Sequence, residues 1–493
     1  MKNLKTMVLE ILWPIERKEL KKFLPMSIMM LFVLFNYHVL RSLKDCFVVP
    51  NIGAEAISFI KVYAVVPAAV ILMLVYSKMT TCMKNKHIFY IFALIFLSFF
   101  LIFAFILYPN QELIHPDPSQ IKALESTKIK VLLWQLDFSR LKWFFKIYSH
   151  WIFVLFYIFA ELWGSVMIFL LFWQFANYIT KIEEAKRFYP MFGFIGNIGV
   201  ISGGILVQYF SQTKLFVTYI SLCTSAAVVM IVALYMYINK KVLTDPRYKI
   251  DQNRKIEWEK PKLSLRDGFK VIFSSKYLGF IAVLVISYGI TVNLIEGPWK
   301  SKIRELYPSQ GEYAHFMGTL QVFTGIVSMV AMLIGANILK KISWFSGAMV
   351  TPLILSISGM GFFIFVVFDQ PVNMYIMQLV AFDPLWLAVM FGMIQNVFTK
   401  ATKYSFFDPT KEMAYIPISS ELQTKGKAAV DVVGARFAKS LGAIIQSSLF
   451  IIFPTLQYSD ITQYLMVIFL VISVIWLIDV KMLYKRYDKI VRS

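Results

Sequence analysis

The chain has 493 residues, of which 58% are hydrophobic and only 16% are charged, and its formal net charge is +21. Soluble domains are about 45–50% apolar and about 25% charged, so this composition excludes an ordinary soluble protein. Nucleic-acid binding is disfavoured because no soluble basic domain is present to carry the positive charge. The apolar residues come instead in blocks of about 20, the length of a membrane-spanning helix. The sequence therefore predicts an all-α polytopic membrane protein whose surroundings are the lipid bilayer.

Twelve apolar blocks predict twelve transmembrane helices. They lie near residues 23–43, 56–77, 87–108, 149–178, 189–210, 215–238, 277–297, 314–338, 346–368, 374–399, 428–453 and 461–482. A polar segment rich in Lys and Arg divides them six plus six. We therefore expect five regions: a basic N-terminal segment 1–22, a six-helix bundle 23–238, a basic linker 239–275, a six-helix bundle 276–484 and a tail 485–493. Two six-helix halves are typical of transporters that rock about a central site.

The distribution of Lys and Arg predicts the orientation in the membrane. The N-terminal segment, the central linker and the tail are all rich in these residues, which places both termini and the linker in the cytoplasm. One loop disagrees with this rule. Residues 109–148 should lie outside yet contain Lys122, Lys128, Lys130, Arg140, Lys142 and Lys146. Its aromatic residues and prolines indicate a structured cap that contains an amphipathic piece.

Ionisable residues inside apolar blocks are the first functional candidates. Glu161 stands in the middle of WIFVLFYIFAELWGSVMIFLLFW, where a carboxylate facing lipid is too costly. It either forms a structural ion pair that locks two helices, or it acts in coupling or substrate gating. At the end of the first helix, Arg41 and Lys44 either extend toward the membrane interface or bind phosphate oxygens; Asp45 follows them.

Glu296 is followed by Gly297, Pro298, Trp299 and Lys300. The Gly-Pro pair predicts that the seventh helix ends or breaks there. A broken helix can direct backbone groups and side chains at a substrate. The alternative is a simple helix end with Trp299 as an anchor at the membrane interface.

The stretch 411–442 places Lys427, Asp431, Arg436 and Lys439 in or beside an apolar segment. Lys427 and Asp431 are four residues apart and so share a helix face, which we expect to line a polar, anion-binding cavity. The sequence GARFAKS (434–440) is not a phosphate-binding loop, because the Gly before the Lys is missing and no strand precedes it. Without such a loop we expect no site for ATP hydrolysis. The five His are isolated, so we expect no metal site, and we expect no cofactor.

Two further patterns concern packing and the base of a cargo molecule. The run GFIGNIGVISGG (193–204) predicts a helix that approaches its neighbours closely, and Asn197 in this run could contact cargo. Tyr63, Trp163 and Trp173 are candidates to stack on a base. The scattered cysteines leave a disulfide between Cys46 and Cys82 open.

Several longer motifs carry a family resemblance. They are RSLKD (41–45), AELWGS (160–165), LLFWQFAN (170–177), EEAKRFYPMFG (183–193), NLIEGPWKSKIRELYP (293–308), IQNVFTKATKYSFFDPTKEMAYIP (394–417) and KGKAAVDVVGARFAKS (425–440). With these the chain resembles the bacterial and plastid-type ATP:ADP antiporters, the nucleotide transporters of obligate intracellular bacteria. The resemblance implies a fold of the major facilitator class and exchange of host ATP for bacterial ADP at the inner membrane, without hydrolysis.

The resemblance also implies transport residues: two lysines and two glutamates, which fall on Lys44, Glu161, Glu296 and Lys427. Arg41, Arg436, Asp431 and Asn197 are our additional candidates. We expect a monomer. The main alternative is a paralogue that carries GTP, CTP or UTP by exchange or by proton-coupled net import, with Glu161 as the proton carrier. A membrane enzyme or lipid flippase acting on phosphate head groups is a further alternative, but clusters of catalytic His or Asp are missing.

Overall fold

The computed structural model describes residues 13–125, 127–131, 134–248, 270, 272, 275–368, 382–418, 426–427, 429–430 and 435–492. Within these ranges the chain forms twelve long helices. They are α1 (Arg17–Asn51), α2 (Ala56–Cys82), α3 (Asn85–Leu107), α4 (Trp151–Ile179), α5 (Ile182–Phe210), α6 (Phe216–Val242), α7 (Lys276–Leu306), α8 (Gln310–Leu339), α9 (Trp344–Val367), α10 (Pro384–Thr402), α11 (Ala435–Ile452) and α12 (Tyr458–Arg492). We call α1–α6 the N-terminal half and α7–α12 the C-terminal half.

The predicted fold class is confirmed. Ten helices in the described part of the chain, α1 to α9 and α12, are long and apolar enough to cross a membrane. The helices α10 and α11 occupy the places of the predicted tenth and eleventh spans but are shorter, with 19 and 18 residues. Twelve spans therefore stay a prediction. The strands among the described residues are Lys128–Val131 and Trp134–Asp137, an antiparallel pair in the loop before α4.

The predicted break in the seventh helix is wrong. The helix α7 runs without interruption from Lys276 to Leu306, through Gly297 and Pro298. Proline removes one backbone donor, but side-chain packing holds the helix together here. Trp299 is buried, not interfacial, and its Nε1 donates to the Val389 carbonyl at 2.9 Å. Gly297 serves close packing, because a Cβ there would lie 2.1 Å from the Tyr458 hydroxyl.

One end of the helix bundle, which we call the basal end, carries the start of α1, the end of α6, the start of α7 and the end of α12. Lys21 near the start of α1 pairs with Asp245, just after α6, at 3.0 Å. Hydrogen bonds from Arg247 and, second, from Lys21 hold the pKa of Asp245 well below its usual range. Arg486 near the end of α12 lies 5.3 Å from the Phe280 ring near the start of α7. The opposite end, which carries the α1–α2, α3–α4 and α11–α12 connections, is the distal end.

The loop before α4 is structured, as predicted. It contains the two strands and the amphipathic helix Lys142–Ser149, which we call the cap helix. Trp143 of the cap helix is buried, with its ring centroid 6.4 Å from that of Phe59 in the N-terminal half and 6.1 Å from that of Phe450 in α11. The cap helix therefore covers the distal end across both halves.

Glycines let α5 pack closely on its neighbours, which confirms the packing interpretation of the glycine run. A Cβ added to Gly199 would lie 2.2 Å from the Leu31 carbonyl oxygen of α1. A Cβ added to Gly204 would lie 2.7 Å from the Gly318 carbonyl oxygen of α8. Because α8 belongs to the other half, this second contact joins the two halves along their length.

The disulfide left open by the sequence is absent. Cys46 and Cys82 are both free thiols. Cys46 lies near the distal end of α1, whereas Cys82 is the last residue of α2, which begins at the distal end. The length of α2, about 40 Å at 1.5 Å per residue, separates the two.

Candidate functional site

Six charged side chains from four helices form one continuous series of ion pairs toward the distal end. Cations and carboxylates alternate along this charge network, in the order Glu161, Lys44, Asp45, Lys300, Glu296 and Lys61. The successive N–O distances are 3.1, 3.1, 2.8, 2.7 and 2.7 Å. The three positive and three negative side chains cancel, so these six groups carry no net charge.

The helix positions explain how the network assembles. Lys44 and Asp45 are consecutive on α1, so their side chains point in different directions and reach α4 and α7 respectively. Glu296 and Lys300 are one turn apart on α7 and share a face. Lys61 lies in the π-helical stretch Ile60–Val65 near the distal end of α2, a type of turn that is frequent at functional sites.

Burial increases toward the middle of the network. The side chains of Asp45 and Lys300 are 1% and 3% exposed, whereas Lys61 at one end is 23% exposed and Glu161 at the other is 37% exposed. Burying a charge without a partner is costly, and removing one member of a buried pair is destabilising by about 3–5 kcal/mol. The alternating order gives each of the central groups two partners of opposite sign, which makes their burial possible.

The network joins the two halves of the molecule. Asp45 in α1 and Lys300 in α7 form one connection, and Lys61 in α2 and Glu296 in α7 form a second. Lys61 also donates to the Asn293 side-chain oxygen at 3.3 Å. The distal end is therefore held closed by ion pairs as well as by the cap helix.

Two neighbouring groups extend the positive and aromatic character of the site. The Lys44 ammonium lies 3.9 Å from the centroid of the Tyr157 ring, a cation–π contact. Arg41, one turn before Lys44 and Asp45 on α1, is partly buried, and its guanidinium donates a long hydrogen bond of 3.5 Å to the Tyr37 hydroxyl. Arg41 therefore adds a further cation beside the network.

The space beside the network is small in this conformation. A cavity of about 10 Å³ is lined by Lys61, Asn293, Glu296, Gln446 and Tyr458, among others, which is about the room that one water molecule needs. Organic ligands need pockets of roughly 300–1,000 Å³. The distal closure must therefore open before a nucleotide-sized molecule passes this point.

Lys427 is not part of the network. It pairs with Glu412 at 2.5 Å. Its neighbour Gly426 packs against Leu278 near the start of α7, because a Cβ on Gly426 would lie 2.6 Å from that side chain. Glu296 comes 18 residues later on the same helix, or about 27 Å at 1.5 Å per residue. The structure thus places Lys427 near the basal end, away from Lys44.

The other predicted residues are distributed as follows. Asp431 lies outside the described residues, and Arg436 is described only as part of the backbone of α11. Asn197 is buried and donates to the Gly193 carbonyl at 2.9 Å and to the Met332 sulfur at 3.8 Å, so it serves the α5–α8 contact. No group of three or more His, Cys, Asp or Glu in the described chain is arranged to hold a metal.

The aromatic candidates for base stacking have structural partners. Trp163 is fully buried, and its Nε1 donates to the Val33 carbonyl at 3.1 Å. The rings of Trp173 and Tyr189 meet edge to face at 5.0 Å. Tyr63 packs against Phe144 of the cap helix at 4.9 Å but remains about half exposed. Of the three, Tyr63 is the most exposed.

Sequence reasoning missed Lys61 and Lys300 as site residues and treated Asp45 only as a neighbour of Lys44. Lys61 had a usable signal, because it stands inside the apolar segment AISFIKVYAVV, where a cation is costly. Lys300 follows Glu296 at the i+4 spacing of a helical ion pair. The prediction of a helix break at Gly297 and Pro298 concealed that spacing.

Comparison with known proteins identifies relatives over the full length of the chain. The ADP,ATP carrier protein 1 of Rickettsia bellii is 48% identical to it over 98% of this chain and 97% of the relative. The ADP,ATP carrier protein 1 of Rickettsia conorii is also 48% identical, over the same shares. The ADP,ATP carrier protein 3 of Rickettsia bellii is 46% identical over 98% of both chains.

Solved structures of transporters share the fold. The nucleoside transporter NupG superposes with a TM-score of 0.52 and 14% identity, covering 94% of this chain and all of the other. A bacterial homologue of the iron transporter ferroportin gives a TM-score of 0.55 with 11% identity, covering 94% and 99%. These similarities support the major-facilitator-like fold that the resemblance implied. Residues 2–487 match the family described as TLC ATP/ADP transporter, and the chain therefore belongs to this family of membrane transporters.

Proposed function

We propose that this protein exchanges external ATP for internal ADP across the bacterial inner membrane, without hydrolysis. Family membership and relatives named ADP,ATP carrier proteins support the cargo. The observation that carries the mechanism is the charge network, in which lysines from both halves meet carboxylates near the distal end. Lysine ammonium groups bind phosphate oxygens as they bind carboxylate oxygens. The network thus offers to a nucleotide the same contacts that close the empty carrier.

In this proposal the ion pairs make exchange obligatory. Opening the distal end separates Asp45 from Lys300 and Lys61 from Glu296. In the empty carrier this leaves Lys61 without a carboxylate partner and leaves Asp45, Lys300 and Glu296 with one partner each instead of two, which is costly in a low-dielectric interior. A nucleotide supplies phosphate oxygens to the released lysines, and the loaded carrier changes conformation at lower cost. Arg41, next to the network and weakly paired, is a further phosphate contact.

Competing cargoes and couplings have less support. The network recognises phosphate rather than a base, so the preference for adenine rests on the relatives. Glu161 pairs with Lys44 at 3.1 Å, and an ion-paired carboxylate is a poor carrier of protons. We therefore favour exchange of ATP and ADP by a monomer, with both termini and the linker in the cytoplasm and the distal end outside.

The test is uptake of labelled ATP into membrane vesicles preloaded with one unlabelled nucleotide at a time. We expect uptake with internal ADP or ATP and little with internal GTP, CTP or UTP. Lys44→Ala should abolish exchange, because the cation at the junction of α1 and α4 is lost, while the amount of protein in the membrane stays the same. Equal exchange by wild type and Lys44→Ala would refute the assignment.

Lys427 needs a separate test because it lies near the basal end. We propose that it binds cargo when the protein opens toward the cytoplasm, where Glu412 is its counter-ion in the closed form. Lys427→Ala should then reduce the release and uptake of nucleotide, with Lys181→Ala, an exposed lysine at the start of α5, as the control. Unchanged exchange by Lys427→Ala would remove it from the mechanism.

A further inference from the structure

The strongest unassigned feature is the way in which Lys61 and Lys300 meet Glu296. The two ammonium groups contact different oxygens of this one carboxylate, Lys300 at Oε1 and Lys61 at Oε2, each at 2.7 Å. A carboxylate carries one negative charge, whereas a terminal phosphate carries about two at neutral pH and presents three acceptor oxygens. Two converging lysines therefore match a phosphate dianion better than the carboxylate that they hold.

The second observation is the position of Asp45. Its side chain is 1% exposed and its two oxygens contact Lys44 at 3.1 Å and Lys300 at 2.8 Å. Asp45 thus supplies the negative charge that keeps a lysine of each half in place when no substrate is present. Glu161, by contrast, contacts only Lys44 within the network and is 37% exposed.

We propose that Lys61 and Lys300 form the binding site for the terminal phosphate of the transported nucleotide and that Asp45 is the counter-ion that makes exchange obligatory. This inference rests on the proposed function. The incoming phosphate takes the place of Glu296 against the two lysines. Asp45 then loses Lys300, the connection between α1 and α7 is released, and the distal end opens only when the lysines have a new partner.

The two roles predict different effects of mutation. Asp45→Asn removes the counter-ion but leaves both phosphate-binding lysines. It should keep the KM for ATP within a few-fold of wild type and gain uptake into vesicles that contain no nucleotide, because the empty carrier now opens. Lys300→Gln and Lys61→Gln each remove one charge-assisted bond to phosphate, which corresponds to a rise in KM of about 10-fold or more.

The matched control is Lys302→Gln. Lys302 is on the same helix, two residues after Lys300, but its partner is Glu305, which is 55% exposed. It should change neither the KM nor the dependence on internal nucleotide. Lys61→Arg should retain more affinity than Lys61→Gln, because the positive charge at the α2 end of the network is kept. All rates are expressed per amount of protein in the membrane.

The outcomes separate this inference from the proposed function. Wild type that fails to exchange ATP for ADP refutes the proposed function itself. Wild type that exchanges, with Asp45→Asn still strictly dependent on internal nucleotide, refutes the counter-ion role. Wild-type KM values in both Lys61→Gln and Lys300→Gln refute the proposed phosphate-binding site. If Asp45→Asn does not reach the membrane, the two lysine variants and their control still decide whether Lys61 and Lys300 bind the phosphate.

Discussion

At the scale of single residues, the number of partners of each carboxylate changes along the network. Asp45 and Glu296 each contact two lysines, whereas Glu161 contacts one. Glu161 is also the most exposed of the three. A carboxylate with one partner needs water or another cation to compensate for its charge. Glu161 is therefore the carboxylate of the network that is most accessible to solvent.

Neutralising Glu296 should reveal how strongly the network stabilises the closed form. In Glu296→Gln, Lys61 and Lys300 lose the carboxylate that they share, which we expect to lower the free energy of unfolding by about 3 kcal/mol. Glu305→Gln, at an exposed position on the same helix, should stay within about 0.5 kcal/mol of wild type. Thermal unfolding of the detergent-purified proteins measures both. Equal stability of the two variants would show that the network contributes little to closure.

At the scale of helices, the contact between α5 and α8 determines how closely the halves approach. Gly204 and Gly318 face each other, and a Cβ on either would lie within 2.8 Å of the carbonyl oxygen of the other. In both cases the added Cβ would clash with a backbone carbonyl oxygen, and backbone atoms cannot rotate away as a side chain can. Asn197 belongs to the same interface, where it contacts Met332. We therefore propose that Asn197 contributes to the packing of the halves, while its contact with cargo stays a prediction.

Gly204→Ala should force α5 and α8 apart. Overpacking of this kind costs about 1–3 kcal/mol, so we expect a lower unfolding temperature and slower exchange of ATP for ADP with little change in KM. Gly279→Ala is the matched control, because nothing lies within 4 Å of a Cβ at that position in α7. Vesicle exchange and thermal unfolding should separate the two variants. Wild-type behaviour of Gly204→Ala would show that the contact tolerates a wider spacing.

At the scale of the whole molecule, the features that were predictable from the sequence are those with a local signature. Apolar blocks indicated the spans, and the glycine run indicated close packing of α5. The charged residues of the site were only partly predictable. Lys44, Glu161 and Glu296 stood out as charges in or beside apolar segments, but Lys300 meets Asp45 through the packing of α7 on α1, which no local pattern encodes.

The error about α7 and the unexpected position of Lys427 have the same physical origin. Gly297 and Pro298 are helix breakers by local rules, yet the burial of Trp299 and the contact with Tyr458 keep α7 continuous. Lys427 was grouped with Lys44 by its charge and by family resemblance, whereas tertiary structure places it near the opposite end of the bundle. In both cases the packing of distant segments determined the result, and a single sequence contains little direct information about such packing.

The basic loop before α4 is the region that best tests the orientation of the molecule in the membrane, because its basic residues disagree with the predicted topology. If the distal end is outside, a cysteine at Arg140, which is exposed, should react with a membrane-impermeant maleimide in intact cells. A cysteine at Lys240, at the basal end of α6, should react only after permeabilisation. Cys82 is replaced first in both variants, because it is exposed and would also react. The reverse pattern would place the cap helix in the cytoplasm, and the lysines of the charge network would then receive internal rather than external nucleotide.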